Sequence, residues 1–461
     1  MAISLDLLAP LFAAASAADL VAARSQMALT LGFHIVLACL GVAFPTHMLM
    51  AEARGRLRNE PDALLLARRW SSIVAVTFAV GAVSGTVLSF EMGLLWPGLM
   101  AVYGPAFGIP FAIEGLFFFL EAIFVAIYIY GWDRVSPRAH FLSGIPIAVA
   151  GLGGTFSVVA ANAWMNQPGG FEMGADGRLT AVRPLDVIFN GATWYEVPHM
   201  LLAAYMVTGF LVAGTYAWGM LHGRRDRYVR LGFAIPFAVA AIATPIQIGV
   251  GDVAARAVFE QQPSKFAAME LVTKTGSNVP VVIGGILVDG EVRYGVEIPG
   301  LASFLAAFDT NTVVKGFDAF AVEDRPPATI VHLAWDAMLG SGFALLGLGA
   351  WAAFLRIRRR DHANARWFLR AASVAGIVSI VALECGWIVT EVGRQPWIVF
   401  GRLRTADAVT TTGGLTVSLV AVTILYLGLG IATLVVIRAL SRRWGHEDIA
   451  SSDLPYGPAE P

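Results

Sequence analysis

Apolar stretches of about 20 residues recur along the whole chain, and each is long enough to cross the ~30 Å hydrocarbon layer of a bilayer as a helix. Only 14% of the residues are charged, whereas a soluble chain carries roughly a quarter. The sequence therefore predicts an all-α polytopic membrane protein, a bundle of about nine transmembrane helices. The predicted spans are 25–51, 70–95, 108–131, 140–163, 194–221, 231–250, 329–355, 368–392 and 413–440.

Basic residues concentrate in alternate connections between these spans. They are Arg54, Arg56, Arg58, Arg68 and Arg69 in the first connection, Arg134 and Arg138 in the third, Arg224, Arg225, Arg227 and Arg230 in the fifth, Arg356, Arg358, Arg359, Arg360 and Arg366 in the seventh, and Arg438, Arg442 and Arg443 after the last span. Because cationic connections stay in the cytoplasm, we predict an external N-terminus and a cytoplasmic C-terminus.

This topology divides the chain into five regions. We predict an outer-surface N-terminal segment (1–24), transmembrane helices 1–6 (25–250), a long external connection (251–328), transmembrane helices 7–9 (329–440) and a cytoplasmic tail (441–461). Both cysteines fall inside spans, so no disulfide framework is expected. Membrane lipid is the predicted surrounding, and no nucleic-acid partner is predicted.

Two histidines and a methionine stand out within the spans, because polar and ligating groups in hydrocarbon call for an explanation. His34 lies in the first span; a bond to a neighbouring helix is the simple alternative to a ligand role. His199 and Met338 lie at similar depth in the fifth and seventh spans, and a His–Met pair can complete a six-coordinate low-spin haem. His332 is a rival for Met338, about 120° away around the same helix.

Four carboxylates lie at stepped depths in two spans. Glu114 and Glu121 in FAIEGLFFFLEAIF share one helix face and differ in depth by ~10.5 Å. Glu384 and Glu391 repeat this spacing in the eighth span. Interhelical hydrogen bonds would explain such residues, but a file of carboxylates is also what a proton path requires.

Three motifs resemble one family. QPSKFAAME (262–270) carries Lys265 and Glu270, ECGWIVTEVGRQPW (384–397) carries Trp387 and Arg394, and RSQMALTLGFH leads to His34. Together they resemble the large subunit of cytochrome bd-type quinol oxidases. The resemblance implies quinol oxidation at the outer face, electron transfer through haems, and reduction of O₂ to water with charge separation across a bacterial inner membrane.

The resemblance also implies roles for the residues. Lys265 and Glu270 would bind quinol, and His199 and Met338 would ligate low-spin haem b. Two further haems, a high-spin haem b and a haem d, would lie on His34 and Glu391. Glu114 would lie at the O₂-reducing haem, and Trp387 and Arg394 would support the di-haem site. The position of Glu121, ~10.5 Å along the same helix face from Glu114, suits a proton relay.

Some alternatives stay open within the resemblance. Which high-spin haem is on His34 and which on Glu391 is undecided. The external connection is the longest of this chain but short for the family, and in this it resembles the branch called cyanide-insensitive oxidases, members of which can carry a second high-spin haem b where others carry haem d. Asp336 stands where well-known members carry an arginine. The implied partners are a second polytopic subunit and, as an option, a small single-span subunit.

Two other functions compete with an oxidase. A haem-b electron carrier could exchange electrons with quinone and never react with O₂. A proton-coupled transporter could use the four intramembrane carboxylates without haem, although we find none of the inverted repeats typical of transporters.

Overall fold

The computed structural model describes residues 17–175 and 177–446, and their regular structure is dominated by helices. The helices are α1 (Ala17–Arg58), α2 (Pro61–Leu95), α3 (Pro97–Gly131), α4 (Pro137–Asn166), α5 (Pro184–Ile188), α6 (Thr193–Leu221), α7 (Arg227–Gln261), α8 (Pro263–Met269), α9 (Leu301–Ala307), α10 (Ala328–Ile357), α11 (Arg366–Gly393), α12 (Thr405–Ala408) and α13 (Leu415–His446). The predicted N-terminal segment and C-terminal tail lie partly outside the described residues.

Nine helices of the described residues are long and apolar enough to cross a membrane, which confirms the predicted fold class. They are α1, α2, α3, α4, α6, α7, α10, α11 and α13. Several extend beyond the predicted spans: α1 begins eight residues before 25 and ends seven after 51. The extension after residue 51 is polar and carries three arginines, because a helix can continue into the interface, where water solvates its charged side chains.

Prolines mark where several helices begin. The first turn tolerates proline because its N–H groups have no intrahelical acceptor; such prolines are Pro61, Pro97, Pro137 and Pro263. Pro198 lies deeper in its helix than these first-turn prolines. The helix begins at Thr193, so Pro198 lies in the second turn and leaves the Trp194 carbonyl without its intrahelical donor.

The packing of the long helices creates a four-helix arrangement within the bundle. α6 packs against both α7 and α11, and α10 packs against the same two helices. α6 and α10 therefore stand at opposite corners, and side chains from both can face one interior space. α1 packs against α2, α4, α6 and α13, and α3 packs against α4.

Short antiparallel strand pairs occur outside the long helices. The pairs are β1 (Phe171–Met173) with β2 (Leu179–Val182), β3 (Val281–Ile283) with β6 (Val296–Ile298), β4 (Ile286–Val288) with β5 (Glu291–Arg293), and β7 (Trp397–Val399) with β8 (Leu403–Arg404). Asp289 and Gly290 join β4 to β5 and both have positive φ, 52° and 81°, as a type I′ hairpin turn requires.

The connection between α7 and α10 is folded and packed. α7 continues to Gln261, so the first residues of the segment 251–328 extend the transmembrane helix. Phe266 and Leu271 share a buried apolar cluster with Val331 of α10 and Val389 of α11. The segment therefore rests on the ends of these two helices, which determines where its polar side chains lie.

Candidate functional site

Lys265 lies in α8 and is buried, with 3% of its surface exposed. Its Nζ donates to Asn166 Oδ1 at 3.2 Å. Its aliphatic part lies against Gly393, where an added Cβ would be 3.0 Å from Lys265 Cγ. Burial lowers the pKa of the Lys265 ammonium, and the positive charge of Arg394 lowers it further. A negative charge that develops beside this poorly solvated cation would be strongly stabilised.

Asn166, the last residue of α4, connects Lys265 to other polar side chains. Its Oδ1 also faces Gln262 Nε2 at 3.3 Å and an Arg394 nitrogen at 3.5 Å. Its Nδ2 donates to Glu196 Oε1 at 2.9 Å. Donors around the oxygen and a carboxylate at the nitrogen define which way the amide points. The ends of α4, α6, α8 and α11 therefore meet at one buried amide.

Arg394 extends this network to Glu391. The guanidinium is 2% exposed and donates to Glu391 Oε2, while Asn162 Nδ2 donates to Glu391 Oε1. Arg394 Nε is buried and has no hydrogen-bond partner among the described residues. Trp387, one turn before Glu391 on α11, packs against a cluster that includes Val197 of α6. The predicted residues Trp387, Glu391 and Arg394 thus share one end of α11.

Glu270 directly follows α8 and is 5% exposed. Trp335 Nε1 donates to Glu270 Oε1 at 3.0 Å, and Oε2 has no partner among residues 17–175 and 177–446. Burial raises the pKa of Glu270 to about 7; the Trp335 hydrogen bond opposes this rise, and the negative charge of Asp336 adds to it. A carboxyl group with this pKa and one free oxygen can accept a proton near neutral pH.

A cation and a carboxylate outside the membrane could simply form a solvated surface ion pair. Lys265 and Glu270 do not form one. Lys265 and Glu270 are buried because the segment packs on α10 and α11. They also bond to different partners: Asn166 holds Lys265, and Trp335 holds Glu270. That alternative is therefore wrong for this structure.

His199 and Met338 project from α6 and α10, the opposite corners of the four-helix arrangement. An added Cβ at Gly251 of α7 would lie 3.2 Å from His199 Cε1, and one at Gly386 of α11 would lie 3.1 Å from Met338 Sδ. His199 Nδ1 is buried without a hydrogen-bond partner among the described residues. Glycine therefore makes room beside each of the two side chains.

His332, the rival of Met338, is held differently. Its Nδ1 lies 2.6 Å from the Met269 carbonyl, and its Nε2 lies 2.8 Å from the Gly284 carbonyl. Asp336 accepts a hydrogen bond from the Gly284 amide and lies 3.4 Å from His332 Nε2. Both ring nitrogens of His332 face backbone carbonyls at hydrogen-bond distance, so His332 joins the loop to α10 and neither nitrogen faces an open space.

His34 lies on α1 beside α2 and near α11. Its Nδ1 is 2.9 Å from Ser84 Oγ, and an added Cβ at Gly85 would lie 2.9 Å from His34 Cε1. Two residues earlier on α1, an added Cβ at Gly32 would lie 3.2 Å from Glu384 Oε2. The structure thus brings Glu384 of α11 to the same stretch of α1 as His34.

Glu114 and Glu121 project from α3 toward different helices. An added Cβ at Gly154 of α4 would lie 4.0 Å from Glu114 Cγ, and one at Gly41 of α1 would lie 4.0 Å from Glu121 Oε1. Both carboxylates therefore lie against glycine surfaces inside the bundle, at successive levels of α3.

Sequence reasoning did not single out Asn162, Asn166, Glu196 or Trp335 as site residues. A signal existed for three of them: Asn162 and Asn166 are four residues apart on one helix face, and Glu196 is a carboxylate three residues before His199. For Trp335 no pattern was available, because an indole in a span is ordinary and its contact with Glu270 depends on how the loop folds.

The donor set suits haem better than a bare metal ion. Within residues 17–175 and 177–446 no group of three His, Cys, Asp or Glu side chains could hold an ion. Haem iron needs only one or two protein ligands, because the porphyrin supplies the others. The glycines beside His199 and Met338 and the unpartnered Arg394 Nε fit a large, anionic, planar group.

Comparison with known proteins agrees with the motifs. The model of the cytochrome bd terminal oxidase subunit I family matches residues 22–444. A Bacillus subtilis protein, provisionally named a cytochrome bd menaquinol oxidase subunit I, is 34% identical over 91% of this chain and 96% of its own length. The Bacillus subtilis cytochrome bd ubiquinol oxidase subunit 1 is 28% identical over 95% of this chain and 97% of its own length.

A solved structure also resembles this fold. A chain of the bd oxidase from Geobacillus thermodenitrificans superimposes with a TM-score of 0.87 at 35% identity, covering 92% of this chain and 98% of that one. The fold, the motifs and these relatives lead to one conclusion: the chain belongs to the cytochrome bd terminal oxidase subunit I family and is a quinol oxidase subunit.

Proposed function

We propose that quinol is oxidised at the buried loop site, with Glu270 as proton acceptor and Lys265 as the cation that stabilises the developing oxyanion. The observation that carries this proposal is the buried Glu270 carboxyl, which has a pKa of about 7 and one oxygen without a partner in the described part of the chain. Quinol loses two protons and two electrons on oxidation, so a base poised near neutral pH at its hydroxyl accelerates the reaction.

We propose that His199 and Met338 hold a low-spin haem b inside the four-helix arrangement. Gly251 and Gly386 provide space beside these ligands. Arg394 Nε, which has no hydrogen-bond partner among the described residues, can bind a carboxylate of bound haem. Haem supplies one-electron redox chemistry and, at an open coordination position, the reduction of O₂.

His34 and Glu391 are the proposed ligands of the two high-spin haems, one a haem b and the other a haem d or a second haem b. Glu391 is oriented by Arg394 and Asn162, and Trp387 lies one turn away on the same helix. Each carboxylate oxygen of Glu391 accepts one hydrogen bond, from Arg394 or from Asn162. These two bonds fix the orientation of the carboxylate, as a metal ligand requires.

Proton delivery is the proposed role of the carboxylates on α3. Glu114 lies against α4 and Glu121 against α1, at levels ~10.5 Å apart. We propose that Glu121 passes protons from the cytoplasmic side to Glu114, which would lie at the O₂-reducing haem. This direction requires the N-terminus outside and the C-terminus in the cytoplasm.

Cytochrome bd oxidases are multi-subunit membrane enzymes, and haem and quinol are their cofactor and substrate. For this chain we propose a second polytopic subunit, a bacterial inner-membrane location and, as an option, a small single-span subunit. The short loop supports assignment to the cyanide-insensitive branch. The family matches favour the oxidase over the electron carrier and the transporter.

Ligand substitutions test the haem assignments. His199→Ala and Met338→Leu should each remove the low-spin signal from reduced-minus-oxidised spectra, together with quinol oxidase activity. Met220→Leu is the matched control, because Met220 is also a buried methionine, on α6, and packs in an apolar cluster that contains neither His199 nor Met338. A full low-spin spectrum in both ligand variants would contradict the assignment. Spectra with CO would show whether a haem open to O₂ is present at all.

A further inference from the structure

A buried serine lies against the proposed ligand His34. Ser84 is 0% exposed, and its Oγ is 2.9 Å from His34 Nδ1. The same Oγ donates to the Gly81 carbonyl, one turn back on α2, at 3.1 Å. Ser84 Oγ therefore has two partners, one a carbonyl that can only accept a hydrogen bond.

The two contacts of Ser84 Oγ favour one tautomer of the His34 imidazole. A hydroxyl has one proton to donate, and the Gly81 carbonyl takes it. With the hydroxyl proton donated to the Gly81 carbonyl, Ser84 Oγ accepts a hydrogen bond from His34 Nδ1, which then carries the ring proton. In the neutral imidazole Nε2 then keeps its lone pair, which is the form that binds a metal.

The position of Ser84 is itself restrained from a third helix. Tyr426 of α13 donates its hydroxyl proton to the Ser84 carbonyl at 3.3 Å. On the other side, the ring of His34 lies directly against Gly85, where an added Cβ would come within 2.9 Å of Cε1. The His34 imidazole thus lies between Gly85 and the Ser84 hydroxyl, and the Ser84 backbone is held in turn by its hydrogen bond from Tyr426.

We propose that Ser84 is a positioning residue that selects the Nδ1–H tautomer of His34 and orients its Nε2 toward haem iron. This inference rests on the proposed role of His34 as a haem ligand. Groups that accept a hydrogen bond from a ligating histidine raise its basicity and fix its ring, and their loss commonly weakens metal binding or activity by ~10–100-fold.

The same helix offers a matched control. Ser89 of α2 makes the same kind of bond, donating to the Gly85 carbonyl at 3.0 Å, but it is exposed and no histidine contacts it. A serine that only bonds back to its own helix would behave like Ser89, and its loss would change little.

The test is resonance Raman spectroscopy of the reduced, purified complex, together with haem content and a redox titration. A five-coordinate ferrous haem on histidine gives an iron–histidine stretching band, which a His–Met haem and a glutamate-ligated haem lack. The band should be present in the native protein and absent in His34→Ala. In Ser84→Ala it should move to lower frequency, because the imidazole becomes a weaker donor.

The other readouts separate positioning from folding. Ser84→Ala should keep its low-spin spectrum, raise the midpoint potential of the His34 haem and lose that haem ~10-fold faster to an external acceptor. Ser84→Thr, which retains the hydroxyl, should restore the native band, and Ser89→Ala should match the native protein throughout.

Two results would overturn different steps. If the band persists in His34→Ala, His34 is not the ligand, and the proposed function fails with the inference. If the band is lost in His34→Ala but Ser84→Ala and Ser89→Ala give the same frequency and potential as the native protein, only the role of Ser84 is wrong.

Discussion

The pKa of Glu270 should control the pH dependence of quinol oxidation. The proton acceptor must be a carboxylate, and the ionised fraction of a group with a pKa of about 7 falls tenfold for each pH unit well below 7. The rate at low quinol concentration should therefore rise with pH up to about 7 and level off above it. Two neighbours move this midpoint in opposite directions.

The magnitude follows from the contacts of Glu270. Trp335 donates to the carboxylate at 3.0 Å, and a hydrogen bond to a charged group is worth ~1.5–3 kcal/mol. One pKa unit corresponds to ~1.4 kcal/mol, so Trp335→Phe should move the midpoint upward by ~1–2 pH units. Asp336→Asn removes a negative charge that raises the pKa, so its midpoint should move downward, and by less.

The assay is O₂ consumption by the purified complex at subsaturating quinol from about pH 5 to pH 9. Glu270→Gln should be slower by ~10²–10⁴-fold, the usual contribution of a general base, and should lose the rise with pH. Trp351→Phe is the control for the aromatic substitution, because Trp351 is also on α10 but does not contact Glu270. Electrons given directly to the haems should reach O₂ at the native rate in every variant.

One outcome would refute this reasoning. If Glu270→Gln is slower but keeps the rise with the native midpoint, the titrating group is elsewhere, and Glu270 binds quinol without accepting its proton.

Three further predictions concern the other residues. Lys265→Met should lower kcat for quinol by tenfold or more and leave oxidation of an artificial donor unchanged, because an uncharged side chain cannot stabilise the oxyanion; steady-state kinetics with both donors measure this. Glu121→Gln should retain all haems and slow O₂ consumption by tenfold or more, whereas Glu114→Gln should also alter the CO spectrum, measured on the same preparations. Gly386→Val should reduce low-spin haem content at least twofold, since even a Cβ would come within 3.1 Å of Met338 Sδ, and pyridine haemochrome analysis measures it.

The sequence was sufficient for the fold class, because nine apolar spans can only form a helical bundle in a bilayer. The motif residues singled out from the sequence lie at α8 and at the end of α11 in the structure, and their roles stay predictions. The burial of Lys265 and Glu270 was not predictable, because a cation and a carboxylate in a connection look like solvent-facing residues until their packing is known.

The missing residues show what local patterns do not contain. Asn166 is an ordinary amide at the end of α4, and its importance comes from three donors that other segments bring to its oxygen. Glu196 lies on α6 and meets that amide only because the ends of α4 and α6 converge. Such contacts depend on tertiary packing, which no spacing within one helix determines.

The separation of Lys265 and Glu270 leads to a last prediction. Lys265 lies on α8 and Glu270 directly follows that helix, and their partners lie on α4 and α10 respectively. If the two side chains act independently, the logarithmic losses in kcat/KM from Lys265→Met and Glu270→Gln should add in the double variant, as they do for uncoupled sites. If the two side chains acted as an ion pair, the second substitution would cause almost no further loss in kcat/KM once the first is made. Measuring the double variant decides the matter: a loss equal to the larger single loss would return the two residues to one coupled pair.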